Sequence, residues 1–313
     1  MGSLTACTNG NFLAFGNKDA QPQKQTNRDV LAYSLEDLDH RVADHTSPDA
    51  MVYIAPKYDR KQPIHLVVYN HGMMTNLTDV EKGWEIGKAM KEAAPNTVLF
   101  APEWAVQPST LSDKAGRFHE PNFFRGMLQE AFDKVPELKG RSLNDVKEIR
   151  LTSFSGGLYP LTSELERNGL EAKVESVTLF DSLYKGNALD NWLKKNIVAL
   201  SKGQKQYHNF YFHTWPASVQ QMKRVQKMLA DAKVDHASTK FDTADAYSVM
   251  EPITIGSKGI VYKYSMAGID DNTIGHNAVP KTYIPQFLKA ASYMGPQGVK
   301  LAERRQVKVK RIM

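Results

Sequence analysis

The chain has 313 residues, of which 42% are hydrophobic and 24% are charged, as is typical of a globular protein with a sizeable core. This composition excludes disordered and fibrous classes, and the lack of any run of about 18 apolar residues excludes a membrane-spanning helix. The formal net charge is +6. Most of it lies in residues 300–313, where one acidic residue, Glu303, stands among six basic ones: Lys300, Arg304, Arg305, Lys308, Lys310 and Arg311. The rest of the chain is nearly neutral, which argues against a nucleic-acid-binding surface.

The two ends of the chain carry the sequence signals that bear on the cellular location of the protein. Cys7 is the single cysteine, which excludes an intrachain disulfide and a CxxC metal or redox site. The sequence LTAC that ends at Cys7 is similar to a lipoprotein cleavage box but lacks the charged and apolar leader, so a chance match is an equal alternative. A genuine box predicts a periplasmic or membrane-anchored lipoprotein, and a chance match a cytoplasmic protein. Residues 1–27 are expected to be flexible. The basic tail 299–313 is expected to be solvated, with peripheral attachment to anionic lipid as the alternative.

Short apolar runs alternate with longer amphipathic stretches between these ends. The runs predicted as strands are Met51–Ala55, Ile64–Asn70, Thr97–Pro102, Glu148–Phe154, Val174–Asp181, His208–Thr214 and Gly259–Ser265. The stretches predicted as helices are Val80–Ala94, Asn122–Val135, Leu158–Asn168, Ala188–Leu200, Ser218–Ala232 and Tyr283–Met294. The alternation predicts an α/β fold, a three-layer sandwich with helices on both faces of a mostly parallel sheet. Residues 28–298 contain no repeat or low-complexity linker and are predicted to form one domain.

Ligands bind at the carboxyl ends of strands in open α/β sheets, so the residues that follow each predicted strand are candidates for a site. The sequence HGMMTN, which begins at His71, follows the second predicted strand. Trp104 follows the third, and Tyr184 and Trp215 follow two later ones. These four side chains are the candidates for a substrate pocket, although core packing is the commoner role for aromatic residues.

The fourth predicted strand runs straight into Ser155, with Ser153 two residues before it and Gly157 two residues after it. A strand that turns at once into a helix needs small residues at those two positions, because neighbouring backbones come close. The pattern SxSxG resembles the nucleophile elbow GxSxG of the α/β-hydrolase family, with serine in place of the first glycine. The alternative interpretation is a plain helix start in which Ser155 is the N-cap.

The resemblance implies a general base late in the chain and a carboxylate between the serine and that base. His276, in GIDDNTIGHNAVP, has the position of the base, with His213 as second choice. Asp181 ends the first strand after the elbow and follows a largely apolar run, so it is the chosen acid. Its weaker alternatives are Asp242, Asp245 and Asp270.

The same resemblance assigns an oxyanion hole to the backbone amides of Gly156 and Met73, with Gly72 in the loop that carries the second amide. His71 shapes that loop. The resemblance covers residues 64–294 and implies a serine hydrolase that cleaves an ester or amide through an acyl-enzyme. If the lipoprotein box is genuine, the substrate is expected to be a cell-envelope lipid or peptide.

Other classes of function fit the sequence less well. A binding or scaffold protein that keeps the hydrolase fold without turnover is the alternative, because a fold alone does not determine function. No GxGxxG turn, Walker A lysine or HExxH spacing occurs, so the sequence predicts no cofactor and no metal ion.

Overall fold

The computed structural model describes residues 4–7, 30–41, 48–73, 75–104, 116–183, 187, 189–212, 216–233, 252–254, 260–265, 276–277, 279–281, 284 and 287–288. Within them one sheet has ten strands: β1 Leu4–Cys7, β2 Leu31–Leu35, β3 Ala50–Ile54, β4 Ile64–Asn70, β5 Thr97–Pro102, β6 Val146–Phe154, β7 Val174–Phe180, β8 Gln206–Phe212, β9 Pro252–Thr254 and β10 Ile260–Ser265. The strand order is β1-β2-β3-β5-β4-β6-β7-β8-β10-β9. The central strands from β5 to β10 are parallel, and antiparallel strands flank them on both sides.

In the described part of the chain, six helices connect these strands: α1 Leu77–Trp84, α2 Ile86–Met90, α3 Phe123–Lys134, α4 Leu158–Arg167, α5 Asp190–Ser201 and α6 Pro216–Asp231. Side chains alternate across the sheet, so Leu66 and Val68 of β4 pack on one face and Val67 and Tyr69 on the other. Helices α3 to α6 cover the first face. Helices α1 and α2, together with buried residues from the segment 279–288, cover the second. This is the predicted sandwich of three layers. No helix in the described ranges is long and apolar enough to cross a membrane.

The predicted strands agree with the observed ones to within two residues at each end. The structure adds β1, β2 and β9, which the sequence analysis did not predict. Strand β1 pairs with β2 and includes Cys7, although residues 1–27 were expected to be flexible. The tail 299–313 lies outside the described residues.

The predicted helix Val80–Ala94 is two helices. It breaks at Glu85, whose φ of 49° is left-handed. The carboxylate of Glu81 accepts hydrogen bonds from the Gly87 amide at 3.2 Å and from the Tyr53 hydroxyl at 2.6 Å. A tertiary contact to β3 therefore takes part in the break, and the local sequence did not indicate it.

Candidate active site

Three strands that carry the predicted motifs end side by side. Strand β4 lies between β5 and β6, so the connections that leave β4 and β6 run to opposite sides, as at the switch point where α/β sheets bind ligands. The register pairs the last residue of β4 with Ser153, and Phe154 with the last residue of β7. The residues that directly follow β4, β6 and β7 therefore share one edge of the sheet. They are His71, Ser155 and Asp181.

Ser155 stands at a sharp turn between β6 and α4. Its φ of 50° is left-handed, a conformation that costs a non-glycine residue roughly 1–3 kcal/mol. The residues Ser155–Gly157 form one 3₁₀ turn and lead directly into α4, whose N-cap position is Gly157. The interpretation of Ser155 as a helix N-cap was therefore wrong. The geometry is that of a strand-to-helix elbow with the serine at its apex, where 8% of the residue is exposed.

The loop after β4 lies directly against this turn. A Cβ on Gly157 would come within 2.4 Å of the Asn70 carbonyl oxygen, and a Cβ on Gly72 within 3.1 Å of Ser155 Cβ. A Cβ on Gly156 would lie 3.3 Å from the backbone nitrogen of Met73. The absence of side chains at the three glycines therefore permits the close approach of the loop and the turn, and it brings the backbone nitrogen of Met73 close to Gly156.

The serine at the first small position of the elbow has a partner. Ser153 is fully buried, and its hydroxyl lies 2.8 Å from the hydroxyl of Ser182. Ser182 donates its proton to the carbonyl oxygen of Ser155 at 2.7 Å, so the proton between the two hydroxyls comes from Ser153. The hydroxyl of Ser153 therefore supports the strained turn through Ser182.

His276 and Asp181 meet beside the turn. His276 Nδ1 lies 2.5 Å from Asp181 Oδ2, although 95 residues separate them in the chain. The Asp181 side chain is 2% exposed and that of His276 21%. A carboxylate accepts, so Nδ1 donates, and in the neutral imidazole Nε2 is then the acceptor. The ring of His276 packs against that of Phe154, the neighbour of Ser155, with centroids 4.6 Å apart and the planes tilted by 33°.

His71 is buried behind the loop and does not face a pocket. It is 0% exposed, and its Nε2 lies 2.7 Å from Glu103 Oε1. Trp104 is also 0% exposed and donates its indole proton to the His71 carbonyl at 2.9 Å. The prediction that these two side chains line a substrate pocket was wrong, because both are enclosed beneath the loop. Sequence reasoning missed Glu103, although it directly follows a predicted strand, which is the signal that selected Asp181.

A third buried carboxyl group lies beneath the site. Glu164 of α4 is 1% exposed and accepts a hydrogen bond from Asn70 Nδ2 at 2.9 Å. Burial raises the pKa of Glu164 from 4.5 to about 8, and the Asn70 hydrogen bond opposes part of that rise. This carboxyl group is therefore largely protonated at neutral pH.

Several predicted residues lie outside the described part of the chain. They are Tyr184 and Trp215 of the predicted pocket, the second-choice base His213, and the alternative acids Asp242, Asp245 and Asp270. Among the residues that the structure describes, no three His, Cys, Asp or Glu side chains gather as metal ligands.

No model of a known protein family matches the chain, and no curated protein matches its sequence. Solved structures do match. A ferulic acid esterase aligns with 94% of this chain and 99% of its own at a TM-score of 0.52 and 10% identity. An S-formylglutathione hydrolase from Agrobacterium tumefaciens aligns over 86% and 97% of the two chains, with a TM-score of 0.48 and 12% identity. A fluorophosphonate-binding serine hydrolase from Staphylococcus aureus aligns over 94% and 98%, with a TM-score of 0.44 and 12% identity.

The order of strands, the helices on both faces and the likeness to the first of these structures define the class of fold. The protein has an α/β-hydrolase-like fold, as the sequence predicted. At 10% identity this likeness concerns the fold, and any activity has to be argued from the site.

Proposed function

We propose that this protein is a serine hydrolase that cleaves an ester or amide through an acyl-enzyme. Ser155 is the nucleophile, His276 the general base and Asp181 the acid that orients His276. The amides of Gly156 and Met73 receive the oxyanion. The observation that supports this most is the contact of 2.5 Å between His276 and Asp181 beside a serine held at a φ of 50°.

The mechanism follows from the chemistry of these groups. The hydroxyl of Ser155 attacks the carbonyl carbon of the substrate and gives its proton to Nε2 of His276. The Asp181 carboxylate stabilises the resulting imidazolium through its bond to Nδ1. The carbonyl electron pair moves onto oxygen and is held by the two amides. The oxyanion then reforms the carbonyl, the leaving group departs with the proton from His276, and water repeats the sequence to release the acid.

Esters are the first substrates to test. An alkoxide leaves more readily than an amine, and a ferulic acid esterase is among the structures that share the fold. Met73 contributes an apolar side chain, 36% exposed, next to Gly156 and so to the wall of the site. The narrower proposal of a cell-envelope lipid or peptide substrate depends on the cleavage box at Cys7.

The test is the hydrolysis of p-nitrophenyl esters of increasing acyl length by the intact chain and by two variants. Ser155→Ala and His276→Ala are each expected to lower kcat by about 10⁴-fold or more, since triad members act as a unit. Ser201→Ala and His119→Ala are the matched controls on α5 and on a surface turn, and they should retain full activity. Turnover that survives in Ser155→Ala would show that Ser155 is not the nucleophile. A folded intact chain that hydrolyses none of the esters or the corresponding amides would favour the non-catalytic binding protein.

A further inference from the structure

The buried pair of His71 and Glu103 takes no part in the mechanism above. His71 directly follows β4 and Glu103 directly follows the neighbouring strand β5, and both side chains are 0% exposed. Burying two ionisable groups is costly unless they are paired and hydrogen-bonded. His71 Nε2 and Glu103 Oε1 lie 2.7 Å apart, so the two buried groups face each other as a close pair.

The other nitrogen of His71 holds a backbone carbonyl of the oxyanion loop. His71 Nδ1 lies 2.7 Å from the carbonyl oxygen of Gly72, and the Thr75 hydroxyl donates to the same oxygen at 2.8 Å. A carbonyl oxygen only accepts, so Nδ1 carries a proton. Two donors from two different residues therefore fix the position of one carbonyl group.

That carbonyl belongs to the peptide unit whose amide is the predicted oxyanion donor. The unit is planar and trans, so the N–H of Met73 points away from the carbonyl of Gly72. The nitrogen of Met73 borders Gly156, 3.3 Å from the site of a Cβ there. Fixing the Gly72 carbonyl on one side therefore fixes the direction of the Met73 N–H on the side of Ser155.

Glu103 holds both ends of this loop. One carboxylate oxygen contacts His71 at its start, and the other accepts a hydrogen bond at 3.1 Å from the amide of Leu77, where α1 begins. The backbone amide of Glu103 is itself bound to the carbonyl of Asp49 at 2.9 Å. The carboxylate is thus anchored on the sheet, and the loop is anchored on the carboxylate.

We infer that Glu103 and Thr75 are positioning residues for the oxyanion amide of Met73, with His71 as the link between Glu103 and the Gly72 carbonyl. The inference rests on the proposed function, because the amide needs a fixed direction only if an oxyanion forms beside Ser155. A donor held ready in this way requires no reorganisation in the transition state.

Thr75 provides the sharper test, because it is only partly buried and its substitution leaves the contact between His71 and Glu103 in place. Its hydroxyl also lies 3.3 Å from His71 Nδ1, so the substitution removes that contact together with the bond to Gly72. Thr75→Val keeps the shape but removes one donor to the Gly72 carbonyl, and Thr75→Ser restores the hydroxyl. The expected result for Thr75→Val is a fall of about tenfold in kcat with KM unchanged, and for Thr75→Ser a kcat near that of the intact chain. The affinity for a trifluoromethyl ketone, which forms an oxyanion on the enzyme, should fall in parallel with kcat. A change in KM alone, or an unchanged kcat in Thr75→Val, would overturn the role of Thr75.

Glu103 is tested by a rescue. In Glu103→Gln the side-chain oxygen still accepts from Leu77 and the amide group donates to His71 Nε2, so the loop keeps its contacts and kcat should stay within about threefold. Glu103→Ala removes both contacts, and kcat should fall by about 10²- to 10³-fold, as for the loss of an oxyanion donor. Equal kcat values in Glu103→Ala and the intact chain would overturn the inference.

Amide hydrogen exchange of residues 71–77 separates this inference from the proposed function. Exchange there should accelerate in Glu103→Ala and remain slow in Glu103→Gln, with the rest of the sheet protected in both. If the intact chain has no turnover that depends on Ser155, the proposed function is refuted. If the exchange of residues 71–77 is unaltered in Glu103→Ala, the positioning role of Glu103 is refuted, whatever the turnover. If Glu103→Ala does not fold, the Thr75→Val and Thr75→Ser pair decides.

Discussion

The contact between the elbow and the loop after β4 predicts a large effect for one methyl group at Gly157. In Gly157→Ala the new Cβ would lie 2.4 Å from the Asn70 carbonyl oxygen and 2.8 Å from that of His71. Both neighbours are backbone atoms at the end of a central strand and cannot rotate away. An ordinary contact needs about 1 Å more, so the elbow and the loop must separate by roughly that distance.

The size of the effect follows from that displacement. Overpacking of this kind costs roughly 1–3 kcal/mol of the free energy of unfolding. A shift of about 1 Å between the serine and the amide of the loop should lower kcat/KM by about 10²-fold. Urea denaturation gives the stability and ester hydrolysis gives the rate.

Gly83→Ala is the matched control. Gly83 lies in α1, and a Cβ there would meet no atom within 4 Å. This variant should gain roughly 0.5–1 kcal/mol from helix propensity and retain full activity. If Gly157→Ala were as stable and as active as Gly83→Ala, the close approach of the elbow and the loop would be refuted.

Three further predictions concern buried groups at the same edge. Asp181→Asn should lower kcat by about 10⁴-fold, because the amide favours the wrong tautomer of His276, and steady-state kinetics at pH 7 measures it; wild-type turnover would transfer the role of acid to another residue. Ser182→Ala should cost roughly 1–3 kcal/mol, because it removes the donor to the Ser155 carbonyl and the acceptor of the Ser153 hydroxyl; an unchanged denaturation midpoint would contradict this. The third concerns the pKa of Glu164, which is about 8 in the folded protein against 4.5 ordinarily. From pH 4.5 to about 8 the unfolded chain loses a proton that the native carboxyl group keeps, so the free energy of unfolding falls as the pH rises, by at most about 5 kcal/mol. Glu164→Gln should remove this dependence on pH. Urea denaturation at pH 5 and pH 8 measures it, and the same change in the free energy of unfolding in Glu164→Gln and in the unaltered protein would contradict the prediction.

The sequence predicted the central strands well because apolar runs bounded by turn residues are a local signal. Strands β4 and β5 were predicted to the residue, since each is apolar on both faces and ends at a polar or turn position. Strands β1 and β9 have four and three residues, too few for a periodic pattern. The break between α1 and α2 depends on Glu81 reaching Tyr53 of another strand, which no local pattern reveals.

The residues of the candidate site also fall into those that the sequence predicted and those that it did not. Ser155, Asp181 and His276 were chosen by their place after strands and by a known order of motifs, and these are properties of the chain itself. Glu103, Thr75 and Ser182 act through contacts between different loops. These contacts form only when the strand ends come together in the folded protein. The sequence therefore showed where these residues lie relative to the strands, but not which residues they contact.

The proposal that Ser155 is the nucleophile is tested most directly by labelling with a fluorophosphonate and locating the adduct by peptide mass spectrometry. The intact chain should take up one phosphonyl group, on Ser155. Labelling should be absent in Ser155→Ala and strongly slowed in His276→Ala, with Ser201→Ala labelled at the normal rate. An adduct on another residue, or labelling that persists in Ser155→Ala, would contradict the account.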